Sequence, residues 1–105
     1  MHEHATVQLD AYVIEPLMRD LVGHDRQPSA FLVYLFLWAR TVDQPDRTAP
    51  VSLRELADAT GLSKRGVQEA LGRLHRRKLI GIHRASITAV PEYTVHRPWR
   101  RNRSG

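Results

Sequence analysis

The chain of 105 residues contains no cysteine. That absence removes disulfides, thiolate metal sites and cysteine nucleophiles, and it fits a reducing compartment, so the cytoplasm is the expected location. The opening "MHEHATVQLD" lacks a basic stretch followed by an apolar run, so no secretory leader is expected. Long apolar runs are missing too. The most hydrophobic segment, Ala30 to Ala39, has ten residues, whereas a bilayer needs about 20. It is expected to be a buried helix, with no membrane partner.

Metal and catalytic patterns are equally scarce. The six histidines, His2, His4, His24, His75, His83 and His96, form no His-x3-His or His-Glu-x2-His pair, so no metal is expected. "GLSKRG" lacks the Gly-Lys-Ser/Thr context of a nucleotide phosphate loop, and no carboxylate pair or nucleophile with a base stands out. An enzyme is not expected, nor is a cofactor or small-molecule substrate.

Acids are the last scarcity, and they are scarce in one half only. Residues 1–50 carry four arginines against seven acids, or −3; residues 51–105 carry twelve Lys and Arg against four acids, or +8, which together give the net +5. Charge so segregated points to a polyanion as partner of the C-terminal half. Because 14 of the 16 basic residues are arginine, which a GC-rich genome alone can produce, the segregation counts for more than the residue type.

What is present organises into one domain. Residues 1–11 read as a frayed polar lead, residues 12–97 as the folded unit and residues 98–105 as a basic tail. "YVIEPLMRDLV" is expected to enter extended and then turn helical, with Ile14, Leu17, Met18 and Leu21 at helical spacing and Pro16 in a first turn. Ser29 is placed to cap a helix from Ala30 to Arg40 that is apolar nearly all round. Ala30, Val33, Tyr34 and Leu37 share one of its faces and Phe31, Leu35 and Trp38 another. A polar loop follows, ending at Pro50, with Val51 in a one- or two-residue strand.

Ser52 and Glu55 then make the S-x-x-E pattern of a capping box, so a helix starts there, and Gly61 supplies the left-handed residue that ends it. Ser63 caps a second helix, whose Val67, Ala70, Leu71 and Leu74 form one buried stripe. Beyond Lys78 the pattern becomes β-branched and aromatic, broken by Pro91, as expected of a β-hairpin.

Capped helix, glycine turn, capped helix and hairpin resemble the winged helix-turn-helix superfamily. The stretch "VSLRELADATGLSKRGVQEALGRLHRRKLI" is similar to the heads of GntR-like and MarR-like bacterial regulators, and the long apolar helix before it resembles the first helix of such domains, as in plasmid and phage replication proteins. The resemblance implies a mainly α fold with a small β-hairpin, a winged helix-turn-helix. Two positions depart from it. Lys78 stands where many relatives have glycine, which puts the helix end in question, and Gly66 stands where relatives often carry a polar residue.

The residues argue for DNA independently. A major groove about 12 Å wide admits one helix, whose first turns must carry long donors. Lys64, Arg65 and Gln68 are such donors, opposite Val67 and Leu71. Thr60 and Ser63 flank the helix start, where free N–H groups favour a phosphate. Arg73, Arg76 and Arg77 on later turns are candidates for phosphate contact, as is Arg84, read as lying near the hairpin tip; each could equally be a solvated side chain. "RPWRRNR" reads as a solvated end or as a segment that follows the DNA backbone with Trp99 stacking.

The expectation is therefore sequence-specific binding of double-stranded DNA by a transcriptional regulator, with a replication or partition factor as the neighbouring alternative and a winged-helix protein-interaction module as one of a different class. A homodimer is expected, paired through Phe31, Leu35 and Trp38 with help from Leu17, Met18 and Leu21, unless those N-terminal residues fold back to cover that face.

Overall fold

Pro28 opens the longest helix, α1 (Pro28–Thr41), from the first-turn position that proline favours. Ser29 thus sits inside the helix, and the cap position belongs to Gln27, whose side chain makes no capping bond. In the computed structural model, which describes residues 6–100, α1 packs against every other layer. The expectations for residues 1–5, with His2 and His4, and for Arg101, Asn102 and Arg103 lie outside the described residues. Ala30, Phe31, Val33, Tyr34, Leu37 and Trp38 are all buried, so both apolar faces of α1 are covered. Thr41, the buried polar residue at its end, donates its hydroxyl to the Leu37 carbonyl at 2.8 Å, which removes the cost of burying it.

Cover for one side of α1 comes from the N-terminal segment. No strand forms at Tyr12, which has helical backbone angles. The chain instead runs through two π-helical stretches, Val13–Leu17 and Arg19–His24. The Asp25 N–H reaches back to the Asp20 carbonyl at 2.8 Å, a wider step than an α-helix makes. Val13, Leu17 and Leu21, four apart, all point inward, while Ile14 and Met18 remain partly exposed. Burying each such aliphatic side chain is worth about 1.5–3 kcal/mol, which is why the segment folds back. Trp38 is 1% exposed and Phe31 7% exposed. The face expected to pair two copies is therefore occupied within one chain.

The C-terminal residues complete that cover. Trp99 stacks on Tyr12 with ring centroids 4.6 Å apart and on Trp38 at 6.4 Å. Its indole N–H donates to Asp10 at 2.9 Å, and Arg100 reaches the same carboxylate at 3.0 Å. The Trp38 indole N–H donates to the Gln8 carbonyl at 2.7 Å. Gln8, Asp10, Tyr12, Trp99 and Arg100 are thus tied to each other or to α1, so the part of the expected lead from Gln8 and the part of the expected tail up to Arg100 pack on the folded unit.

After a short 3-10 turn, Pro45–Arg47, come β1 (Thr48–Pro50), α2 (Leu53–Thr60), α3 (Lys64–Arg76), β2 (Ile80–His83) and β3 (Glu92–Val95). The three strands form an antiparallel sheet in the order β1-β3-β2, with Ala49 and Ile82 both opposite Tyr93. The expected hairpin gains a third strand, which ends at Pro50 rather than running through Val51. Proline is tolerated there because β1 is an edge strand. The Thr48 and Thr94 hydroxyls bond across the pair at 2.7 Å.

Both caps form. Ser52 Oγ accepts from the Glu55 N–H at 3.0 Å, and Gly61 ends α2 at φ 77°. The capping box is half realised, since the Glu55 carboxylate pairs with Arg40 of α1. The end of α3 follows the glycine pattern although the residue is lysine. Lys78 has φ 60°, its N–H donates to His75 at 3.0 Å, and the Leu79 N–H donates to Leu74 at 2.9 Å. These are the paired bonds of a Schellman motif, and the buried Leu74 and Leu79 supply its apolar contact. They offset the roughly 1 kcal/mol of a left-handed lysine. Among the described residues no helix is long and apolar enough to cross a membrane.

Candidate nucleic-acid interface

The amphipathic pattern of α3 decides which of its side chains are available. Val67, Ala70, Leu71 and Leu74 are buried against α1, α2 and the sheet. The opposite face leaves Lys64, Arg65, Gln68, Glu69, His75 and Arg76 exposed. Ser63 fixes the start of the helix by accepting from the Gly66 N–H at 2.9 Å. That bond uses a lone pair and leaves the hydroxyl proton to donate outward. Gly66 belongs to this cap, since a Cβ there would stand 3.3 Å from Ser63 Oγ.

Thr60 is differently placed. Its hydroxyl proton goes to the Leu56 carbonyl at 2.7 Å, and its oxygen receives the Leu62 N–H at 3.3 Å. The donor a phosphate would need is spent inside the turn, so Thr60 shapes the turn between α2 and α3.

The arginines of α3 divide into two groups. Arg65 projects, with an i,i+4 contact to Glu69 at 3.4 Å that holds it only lightly. Arg76 is exposed and folds back over Gly72, where a Cβ would come within 3.3 Å of its Nη1. Arg73 does not face outward as expected. Its Nε donates to Gln27 at 3.2 Å and lies 4.0 Å from the buried Asp25. Arg77 grips the same carboxylate with Nε and Nη2, both at 2.8 Å. The Arg77 hydrogen bonds hold the Asp25 carboxyl well below the usual carboxylate range against the opposing effect of burial. Arg73 and Arg77 therefore brace α3 against the loop before α1.

Along the exposed face of α3 runs an open groove of about 750 Å³, bounded by Gln68, Glu69, Gly72 and Arg76 on one side and by Arg26, Ser29 and Leu32 on the other. Neither Arg26 nor Glu69 is marked by the sequence as a site residue, and Ser29 is marked only as a helix cap. Arg26 and Ser29 sit in a loop and a helix start with no local signal of facing α3; Glu69 falls at the helical spacing of Arg65 and could have been found from it.

The loop joining β2 to β3 spans residues 84–91. Arg84 is exposed but stands at its first position rather than near the tip, which carries Ile87, 89% exposed. Tyr93 beneath is buried, and that burial raises its hydroxyl above the usual range.

α2, the Gly61 turn and α3, with α1 across them and a hairpin after them, have the arrangement of a winged helix-turn-helix. Among known families, a helix-turn-helix domain matches residues 27–80. No curated protein and no solved structure matches the chain. The matched span runs from the start of α1 to the first residue of β2 and takes in more than half of the sequence, so the chain belongs to the helix-turn-helix domain family.

Proposed function

We propose that the protein binds duplex DNA sequence-specifically, with α3 in the major groove and the 84–91 loop as a wing, and that it acts as a bacterial transcriptional regulator. One observation carries this reading: Lys64, Arg65 and Gln68 stand together and exposed on the first turns of α3, while the buried stripe behind them holds the helix rigid. In these roles Arg65 and Gln68 discriminate base edges, Ser63 and Arg76 hold phosphates, and Arg84 steadies the wing. Thr60 and Arg73 act indirectly, through the turn and the seating of α3. Pairing of two copies over half-sites one helical turn apart belongs to the same reading, through a surface other than Phe31 and Trp38.

A mobility-shift measurement on the full chain with pooled genomic fragments tests it. The expected result is selection of a subset of fragments, with log affinity falling linearly in log salt at a slope of about −0.9 for each phosphate neutralised. No shift of any duplex at low salt overturns the reading. Sedimentation of the free protein and of its DNA complex tests the pairing.

A further inference from the structure

Arg26 stands in the loop that joins the N-terminal helical segment to α1, and both of its neighbours are tied to α3. Arg77 grips Asp25 with two bonds of 2.8 Å, and Arg73 donates to Gln27 at 3.2 Å. Arg26 between them is exposed and has no ion pair among the described residues. Its backbone is left-handed, at φ 55°, a conformation that glycine or asparagine takes at less cost than arginine. The fold thus pins this loop to α3 and leaves the guanidinium in the middle of it unbound.

That guanidinium belongs to one wall of the open groove of about 750 Å³ along α3. Ser29 stands on the same wall, and its hydroxyl has no partner among the described residues. Arg76 stands on the opposite wall, exposed and without an ion pair among the described residues. Pro28, Leu32 and Leu62 give the groove an apolar lining, with Leu32 44% exposed. Donors beside an apolar lining match a sugar–phosphate strand, whose deoxyribose is largely apolar and whose phosphate takes a guanidinium on two oxygens. Glu69, the acid of this groove, lies 3.4 Å from Arg65, which answers its charge.

We infer that Arg26 is a further DNA contact, made from the loop before α1: with Ser29 it holds a backbone phosphate of the strand that lies in this groove when α3 occupies the major groove. Arg76 meets that strand from the other wall. The inference rests on the proposed DNA reading and adds to it a residue that precedes the matched span 27–80. Arg73 and Arg77 are then positioning residues, which set where Arg26 stands beside α3. A phosphate held there fixes the depth and angle of α3 in the groove and reads no sequence itself.

The test compares the full chain with Arg26→Asn, which removes the charge and keeps a residue suited to the left-handed backbone. Mobility shifts are measured on a selected duplex and on a random one over a salt series. Arg26→Asn should bind both about fivefold more weakly near physiological salt, and its slope of log affinity in log salt should be shallower by about 0.9, the share of one phosphate. Arg26→Lys should restore most of the slope. Arg19→Asn, which removes the same charge from an exposed position outside the groove, should leave the slope unchanged. Thermal melting checks folding; if Arg26→Asn does not fold, Arg26→Gly takes its place, with the same outcome expected. A neutral methylphosphonate, moved along the selected duplex, should weaken the unsubstituted chain at one position where it costs Arg26→Asn nothing further. An unchanged slope in the folded variant overturns the inference. Equal losses in both chains at every methylphosphonate position overturn it as well and leave the groove to a protein partner. In both cases the unsubstituted chain still shifts DNA and the DNA reading stands, whereas no shift of any duplex by that chain overturns both.

Discussion

Asp25 and Arg77 form a two-pronged ion pair, both contacts at 2.8 Å, that fastens the loop before α1 to the last turn of α3. The Asp25 side chain is 4% exposed and that of Arg77 33%, so solvent screens the pair only in part. Asp25→Asn should cost roughly 1–3 kcal/mol at neutral pH. The folded-state pKa of Asp25 is depressed, so its stabilisation is present above the unfolded value of about 3.9 and fades below it, by about 1.4 kcal/mol per pH unit. Urea unfolding of both proteins should therefore show a gap that is constant from pH 7 to 5 and narrows below pH 4. A gap independent of pH would mean that the carboxylate charge is not what fastens the loop.

Lys78 tests the end of α3. Replacing it with glycine relieves the left-handed side chain but frees the unfolded chain, for a net gain of about 0.5–1 kcal/mol. The midpoint of urea unfolding should rise with no change of slope. A fall would show that the lysine side chain contributes contacts that outweigh its backbone cost.

Trp99 tests whether the C-terminal residues belong to the core. Trp99→Ala should cost roughly 2–3 kcal/mol, less than the loss of a fully buried tryptophan, and lower the melting temperature. Tyr12→Ala should lose part of the same energy, and the double variant less than the sum, because the rings touch. Additive losses would refute the stack.

On α3, Arg65→Ala should erase the preference between specific and random duplexes, costing about 1–3 kcal/mol on the specific site alone. Arg76→Ala should weaken both alike. Arg73→Ala should lower thermal stability more than affinity, since its partners Gln27 and Asp25 lie within the chain. Competition binding with two duplexes separates the three; equal losses in all would displace α3 as the reading element.

The parts of this fold that were legible in the sequence are those written locally. Ser52, Gly61 and Ser63 mark helix ends through bonds to residues three or four away, and the stripe from Val67 to Leu74 follows from helical spacing alone. Lys78 shows the limit of such reading, because the geometry survives a change of residue when Leu74 and Leu79 pack beneath it. The extended entry expected at Tyr12 does not form: β-branched Val13 and Ile14 favour an extended chain in isolation, whereas burial of Val13, Leu17 and Leu21 against α1 rewards a wide helix that begins there. Arg73 and Arg76 are alike in the sequence. Only the position of Asp25 and Gln27, brought near by the fold, separates a brace from a free donor.

The bond from Arg100 to Asp10 joins residues at nearly opposite ends of the described chain, and it bears on the order in which a ribosome can finish this protein. Residues 28–80 can associate as they emerge, since each helix meets partners already made. The ring of Trp38 cannot be closed over until Trp99 has left the exit tunnel, so until then an apolar aromatic surface stays open. Nascent chains stalled before residue 99 should for that reason attract chaperones that chains released after residue 100 do not.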